Sequence, residues 1–190
     1  MSKKNWMAHF FCACLMLSIT TSIEAMPAQV IIIRRAEKER VEGDISLKGK
    51  ERAAALAPYF MEEHELLQYG PPVAIFAIAT SADRPTQRTL QTVEPLAEKL
   101  KIVVNTSFHV DDYPKMIEMI RANTHYNGKM ILICWDHRRI PNVARGFGVR
   151  EVPEWPDSAF DRTWIVSFSD EGVPSLVNLP QRLLFGDSPE

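Results

Sequence analysis

The sequence is short of cysteine, of charge imbalance and of long apolar runs, and each shortage removes a class of protein. Only 3 cysteines occur in 190 residues, and Cys12 and Cys14 lie in an N-terminal segment with the pattern of a leader. Its removal would leave Cys134 alone, so no intramolecular disulfide could staple the mature chain. Lysine and arginine number 22 against 24 aspartates and glutamates, a net charge of −2, with no basic run longer than a few residues. That balance gives no support to broad nucleic-acid binding by phosphate neutralisation. Beyond the N-terminus no apolar run reaches the roughly 20 residues a spanning helix needs. Closely spaced metal ligands are missing, so neither a zinc site nor a cofactor is expected. Repeats and low-complexity stretches are absent too. What is there, 46% apolar and 24% charged residues, is an ordinary globular composition with length for one sizeable core.

Lys3 and Lys4 precede an apolar stretch from about Phe10 to Ile19, and Ser22-Ile23-Glu24-Ala25 follows with a small residue at a cleavage position. The pattern predicts a signal peptide over residues 1–25 and a single domain over 26–190. The mature chain is then expected in the periplasm, or outside the cell where there is no outer membrane, without membrane attachment.

Along the mature chain, Val30-Ile31-Ile32-Ile33 is a continuous β-branched run that suits a central strand covered on both faces. Ser46 can cap a helix whose apolar positions Ala53, Leu56, Ala57 and Phe60 recur at helical spacing. Gly70-Pro71-Pro72 breaks the chain before a second buried-type run, Val73 to Ala79. Leu90, Val93, Ala97 and Leu100 mark a second helix, which Pro95 should kink or restart. Ile102 to Val104 reads as a short strand, and Met116, Ile117 and Ile120 as a third helix entered through Pro114. The strand Met130 to Trp135 and a short helix from Arg139 to Phe147 follow. A hairpin, Thr163 to Phe168 and Val173 to Val177, turns at Ser169-Asp170-Glu171-Gly172. Strands alternating with amphipathic helices predict an α/β fold: a three-layer αβα sandwich with a mostly parallel central sheet and an antiparallel edge strand.

Ligands of such sheets bind where loops leave the carboxyl ends of central strands. Three polar clusters fall there: Arg34-Arg35-Ala36-Glu37-Lys38, then Thr80-Ser81-Ala82-Asp83-Arg84 with Arg88 beyond, and Trp135-Asp136-His137-Arg138-Arg139. Several guanidiniums and an imidazole are the chemistry of a phosphate or other oxyanion site. Each arginine taken singly could equally be a solvated strand-end charge.

The frame Ile31-Ile32-Ile33-Arg34-Arg35-Ala36-Glu37-Lys38 resembles the histidine phosphatase superfamily, the phosphoglycerate-mutase-like proteins. Their first strand ends in Arg-His-Gly or Arg-His-Ala. Ser46-Leu47-Lys48-Gly49-Lys50-Glu51-Arg52-Ala53 is similar to the segment opening the family's first helix. Arg88-Thr89-Leu90-Gln91-Thr92 is similar to its Arg-x-x-Gln-Thr element, with Arg84 the competing second arginine. Ile131 to His137 resembles the later strand and second histidine, and Phe160 to Val166 a late strand of smaller bacterial members. The resemblance implies a phosphoglycerate-mutase-like fold and phosphate binding by Arg34, Arg88 and His137.

One departure alters the chemistry. The resemblance places the family's nucleophilic histidine at Arg35, and a guanidinium, with a pKa above about 12 and no free lone pair, does not attack phosphorus. Arg35 would instead add a cation beside Arg34 and Arg88, or swing to solvent or to Glu37 and leave the site damaged. His137 as a substitute nucleophile would need reversed geometry. His109, near Asp111 and Asp112, lies where some family branches bring a general acid, although Asp-rich loops are usually plain turns. Asp136 could orient His137 only if the strand has already ended. The expectation is an exported pseudophosphatase that binds phosphate or a phosphorylated small molecule or protein. A phosphomonoesterase of altered mechanism is the alternative. So is an interaction module using Trp155, Pro153 and Pro156.

Overall fold

The structure, a computed structural model, describes residues 26–39, 44–62, 66–82, 85–169 and 171–189. The expected leader and Arg84 lie outside them. Six strands form one sheet in the order β3-β2-β4-β1-β5-β6: β1 (Gln29–Arg34), β2 (Ala74–Ile78), β3 (Asn105–Phe108), β4 (Met130–Trp135), β5 (Arg162–Phe168) and β6 (Pro174–Pro180). β1, β4, β2 and β3 run parallel, β5 runs against β1, and β6 runs against β5. The expected antiparallel edge is therefore a two-stranded hairpin.

The run Val30 to Ile33 is 0% exposed because β1 lies in mid-sheet with helices on both sides. Alternation along the strand splits it between two cores. Ile31 and Ile33 face α1 (Leu47–Glu62) and α2 (Arg88–Leu100), against Leu56, Phe60, Val93 and Leu96. Val30 and Ile32 face α3 (Tyr113–Ala122) and α4 (Ile140–Gly146), against Met116, Ile120 and Val143. These are the three expected layers.

Of the two outcomes expected at Pro95, a restart does not occur: helix α2 is continuous through it, with Val93, Leu96 and Ala97 buried on the sheet to offset the lost hydrogen bond. One expectation fails locally. The third strand begins at Asn105 and not at Ile102. Lys101 caps α2 in the left-handed region (φ 56°) and Ile102 N–H donates to Ala97 O at 2.9 Å. The apolar Ile102 and Val104 thus pack at the helix end while Val103 is left exposed. Their apolarity reports burial, not strand pairing.

The start of α1 is tied to the strand-end loop. Ser46 Oγ accepts from Gly49 N–H at 3.1 Å, the expected cap, and Ser46 N–H donates to Glu37 O at 2.8 Å. A Cβ on Gly49 would lie 2.5 Å from Glu37 O, so only glycine fits this approach.

Candidate functional site

β1 and β4 are neighbours in parallel register, Arg34 opposite Trp135, so the residues leaving both strands meet on one rim. β4 ends at Trp135, which frees Asp136 and His137 from strand alternation. Arg88 opens α2, and Thr92 one turn on ties it to the rim. Thr92 Oγ1 accepts from Ala36 N–H at 2.9 Å and donates to Arg88 O at 2.6 Å. The result is a cavity of about 530 Å³ lined by Arg34, Arg35, Lys38, Arg88, His137, Arg138, Asp157 and Phe160. Arg34, Arg88 and His137, expected to hold phosphate, and Arg35, expected as an added cation beside them, all line it.

Arg34 is 7% exposed. Its Nη1 donates to the carbonyls of Asp157 at 2.6 Å and Ala159 at 2.9 Å, and its guanidinium carbon stands 3.8 Å above the Phe160 ring. Nε of Arg34 is buried without a hydrogen-bond partner. Burial, and then the neighbouring Arg35, pull its pKa down to about 10, so it stays charged at neutral pH. Arg88 is lowered by the same two causes, and its Nε donates to Thr86 Oγ1 at 2.9 Å.

Arg35 pairs through Nη1 with Asp136 Oδ2. It neither swings to solvent nor reaches Glu37, whose carboxylate is taken by Arg52 at 2.8 Å. Burial alone would push the Asp136 carboxyl up, but the Arg35 hydrogen bond and charge hold it below the usual carboxylate range. Asp136 Oδ1 also accepts from Arg138 N–H at 3.0 Å.

His137 Nε2 is 2.8 Å from Asp157 Oδ1, whereas Nδ1 is buried without a hydrogen bond, 3.6 Å from Asp136 Oδ1. Asp136 is thus close to the ring, but Asp157 is what orients it. Burial and Arg34 lower the imidazole pKa, so the ring is neutral at pH 7. Chemically the cavity is an anion cup of fixed guanidiniums with one neutral imidazole. Cys134, one residue behind the rim, offers no nucleophile, since complete burial pushes its thiol up.

His109, Asp111 and Asp112 do not line the cup: Asp112 accepts from His109 N–H and pairs with Lys115, and Asp111 pairs with Arg139 at 2.6 Å. Trp155 is not an exposed contact either, being packed on Trp164 with ring centroids 5.0 Å apart, while Pro153 and Pro156 are exposed. Sequence reasoning missed Asp157 and Phe160. Both come from an irregular segment far along the chain, where no spacing rule connects them to the rim.

Solved phosphatases share this fold at low sequence identity. The protein histidine phosphatase SixA, solved with tungstate, matches over 80% of this chain and 97% of its own at TM-score 0.55 and 14% identity. A mycobacterial glucosyl-3-phosphoglycerate phosphatase matches over 80% and 97% at TM-score 0.53 and 12% identity. The sequence matches no protein-family model and no curated protein.

Proposed function

We propose that this protein is an exported pseudophosphatase, binding phosphate or a phosphorylated small molecule or protein through Arg34, Arg88 and His137 without forming a phosphohistidine. The observation that carries this reading is the Arg35–Asp136 ion pair at the position where the resemblance expects a nucleophilic histidine. A guanidinium bound to a carboxylate has no lone pair to give, yet it leaves the cup cationic. The tungstate carried by the similar SixA structure is a tetrahedral oxyanion, the ligand shape this cup suits. Export rests on the residue pattern of positions 1–25, and a secreted product beginning at Met26 would support it.

The test is phosphatase assay and thermal melting of the purified chain beside Arg35→His and Arg88→Ala. The wild type is expected to be silent on a generic phosphomonoester and to melt higher with orthophosphate, because a ligand of the folded state stabilises it. Arg35→His should gain turnover, and Arg88→Ala should lose the shift in melting. Turnover by the wild type that Arg88→Ala abolishes would establish the alternative, a phosphomonoesterase in which water attacks directly. Absence of any shift would remove phosphate binding.

A further inference from the structure

The cations of the cup are graded by depth. Arg34 and His137 are buried, each 7% exposed. Lys38 is exposed at the mouth, and so is the Arg138 side chain, at 72%. Backbone contacts fix both mouth residues: Lys38 pairs with Ile45 across an isolated antiparallel bridge, and Arg138 N–H donates to Asp136 Oδ1 at 3.0 Å. Their charges are spare. Lys38 has no ion pair among the described residues, and Arg138 stands 3.8 Å from an Asp136 already paired with Arg35. Five arginine and lysine side chains line the cavity, of which Arg35 is neutralised by Asp136 and one more is balanced by Asp157, leaving three positive charges. A phosphate dianion on Arg34, Arg88 and His137 answers two of them and leaves the mouth cationic.

The lining is also one-sided in hydrogen bonding. Apart from His137, whose Nε2 faces Asp157, its polar side chains are donors, and Asp157 is its one carboxylate among the described residues. The Phe160 ring is taken by the Arg34 guanidinium. A sugar or peptide attached to the phosphate would bring hydroxyl or amide donors to a wall with almost no acceptors, and donors withdrawn from water without a partner are costly. A condensed phosphate brings acceptors and charge alone. We propose that the cup binds inorganic diphosphate or the end of a longer polyphosphate chain, with one phosphoryl group on Arg34, Arg88 and His137 and the next between Lys38 and Arg138. The proposal rests on the phosphate-binding reading and names its ligand. At about 530 Å³ the cavity has room beyond a single phosphate group. Because the mouth cations are exposed and screened, each adds modestly, and the two act together.

Calorimetry in buffer without divalent cations, at mildly alkaline pH, tests this with orthophosphate, diphosphate and fructose 1,6-bisphosphate, an ester with two phosphates and hydroxyl donors between them. The chains are the wild type, the double variant Lys38→Met, Arg138→Met, and Lys129→Met. Lys129 is exposed just before β4, at the opposite end of the sheet, and controls for overall charge. The wild type should bind diphosphate about tenfold tighter than orthophosphate, and tighter than fructose 1,6-bisphosphate. The double variant should lose most of that gain, and Lys129→Met should keep it. Diphosphate binding no tighter than orthophosphate, an undiminished gain in the double variant, or the same loss in Lys129→Met would overturn the mouth subsite. Fructose 1,6-bisphosphate binding as tight as diphosphate would overturn the preference for a condensed phosphate. Each of these results leaves phosphate binding in place. If the wild type binds neither orthophosphate nor diphosphate, the phosphate-binding reading falls and this one with it.

Discussion

Arg35 and Asp136 leave two neighbouring parallel strands side by side, and their side chains form an ion pair across the gap. Arg35 N–H continues the ladder to Trp135 O at 3.2 Å, so backbone and side chain both clamp β1 to β4 at the rim. The pair is largely withdrawn from water, the side chains being 11% and 8% exposed. Removing one partner of such a pair strands the other charge, which costs far more than the pair is worth.

Asp136→Asn should therefore destabilise the chain by about 2–3 kcal/mol, discounted from a fully buried pair because the rim faces the cavity. The amide leaves Arg35 uncompensated, so orthophosphate should restore more stability to Asp136→Asn than it adds to the wild type. Urea unfolding with and without orthophosphate measures both. Equal midpoints for the two chains would show that the ion pair contributes nothing to the fold.

The His137 imidazole sets a pH dependence with a defined sign. Burial and Arg34 hold its folded pKa below the ordinary 6.5, against the pull of Asp136 and Asp157. Just below 6.5 the unfolded chain binds a proton that the folded chain does not, so stability falls as pH falls through that window and levels off below the folded value. The carboxylates Asp136 and Asp187, held below 3.8, lose their contributions only at lower pH. The difference in melting temperature between wild type and His137→Gln should thus drift between about pH 7 and pH 5, the wild type losing relative to the variant. Parallel curves would mean that the ring is not depressed.

The strands β1 and β4 were legible, because a strand buried on both faces leaves an unbroken apolar run. β3 was not. Its residues Asn105 to Phe108 are partly exposed at the sheet edge, and edge strands need no apolar signal, whereas Ile102 and Val104 carry one for helix-end packing. The cup was legible where it is made of strand ends, since topology brings Arg34, Arg35 and His137 together whatever the intervening chain does. Asp157 could not be read, because a loop reaches the site through backbone carbonyls held by Arg34, and carbonyls have no sequence signature. Arg52 was hidden for another reason: its partners Gln181 and Asp187 lie far along the chain, so its motif suggested a helix start, not a buried charge.

Arg52 is the strongest candidate for a residue that holds the region behind the site together. It is 2% exposed and its guanidinium is shared by Glu37, which leaves the same strand end as Arg34, by Asp187 near the C-terminus, and by Gln181. Asp187 Oδ2 in turn accepts from the backbone N–H groups of Leu183 and Leu184, each at 3.0 Å. Arg52→Ala would leave two nearly buried carboxylates facing a void, a loss of about 3–5 kcal/mol. Arg52→Lys keeps the charge but lacks the planar fork that reaches both carboxylates, and should lose roughly half as much. Urea unfolding orders the three chains. Limited proteolysis separates a global effect from a local one, because release of Asp187 should open the turn at Leu183 to Asp187 before the sheet unfolds. If Arg52→Lys is as stable as wild type, charge alone holds the network. If cleavage begins elsewhere, Asp187 fixes the turn through its backbone contacts without help from Arg52.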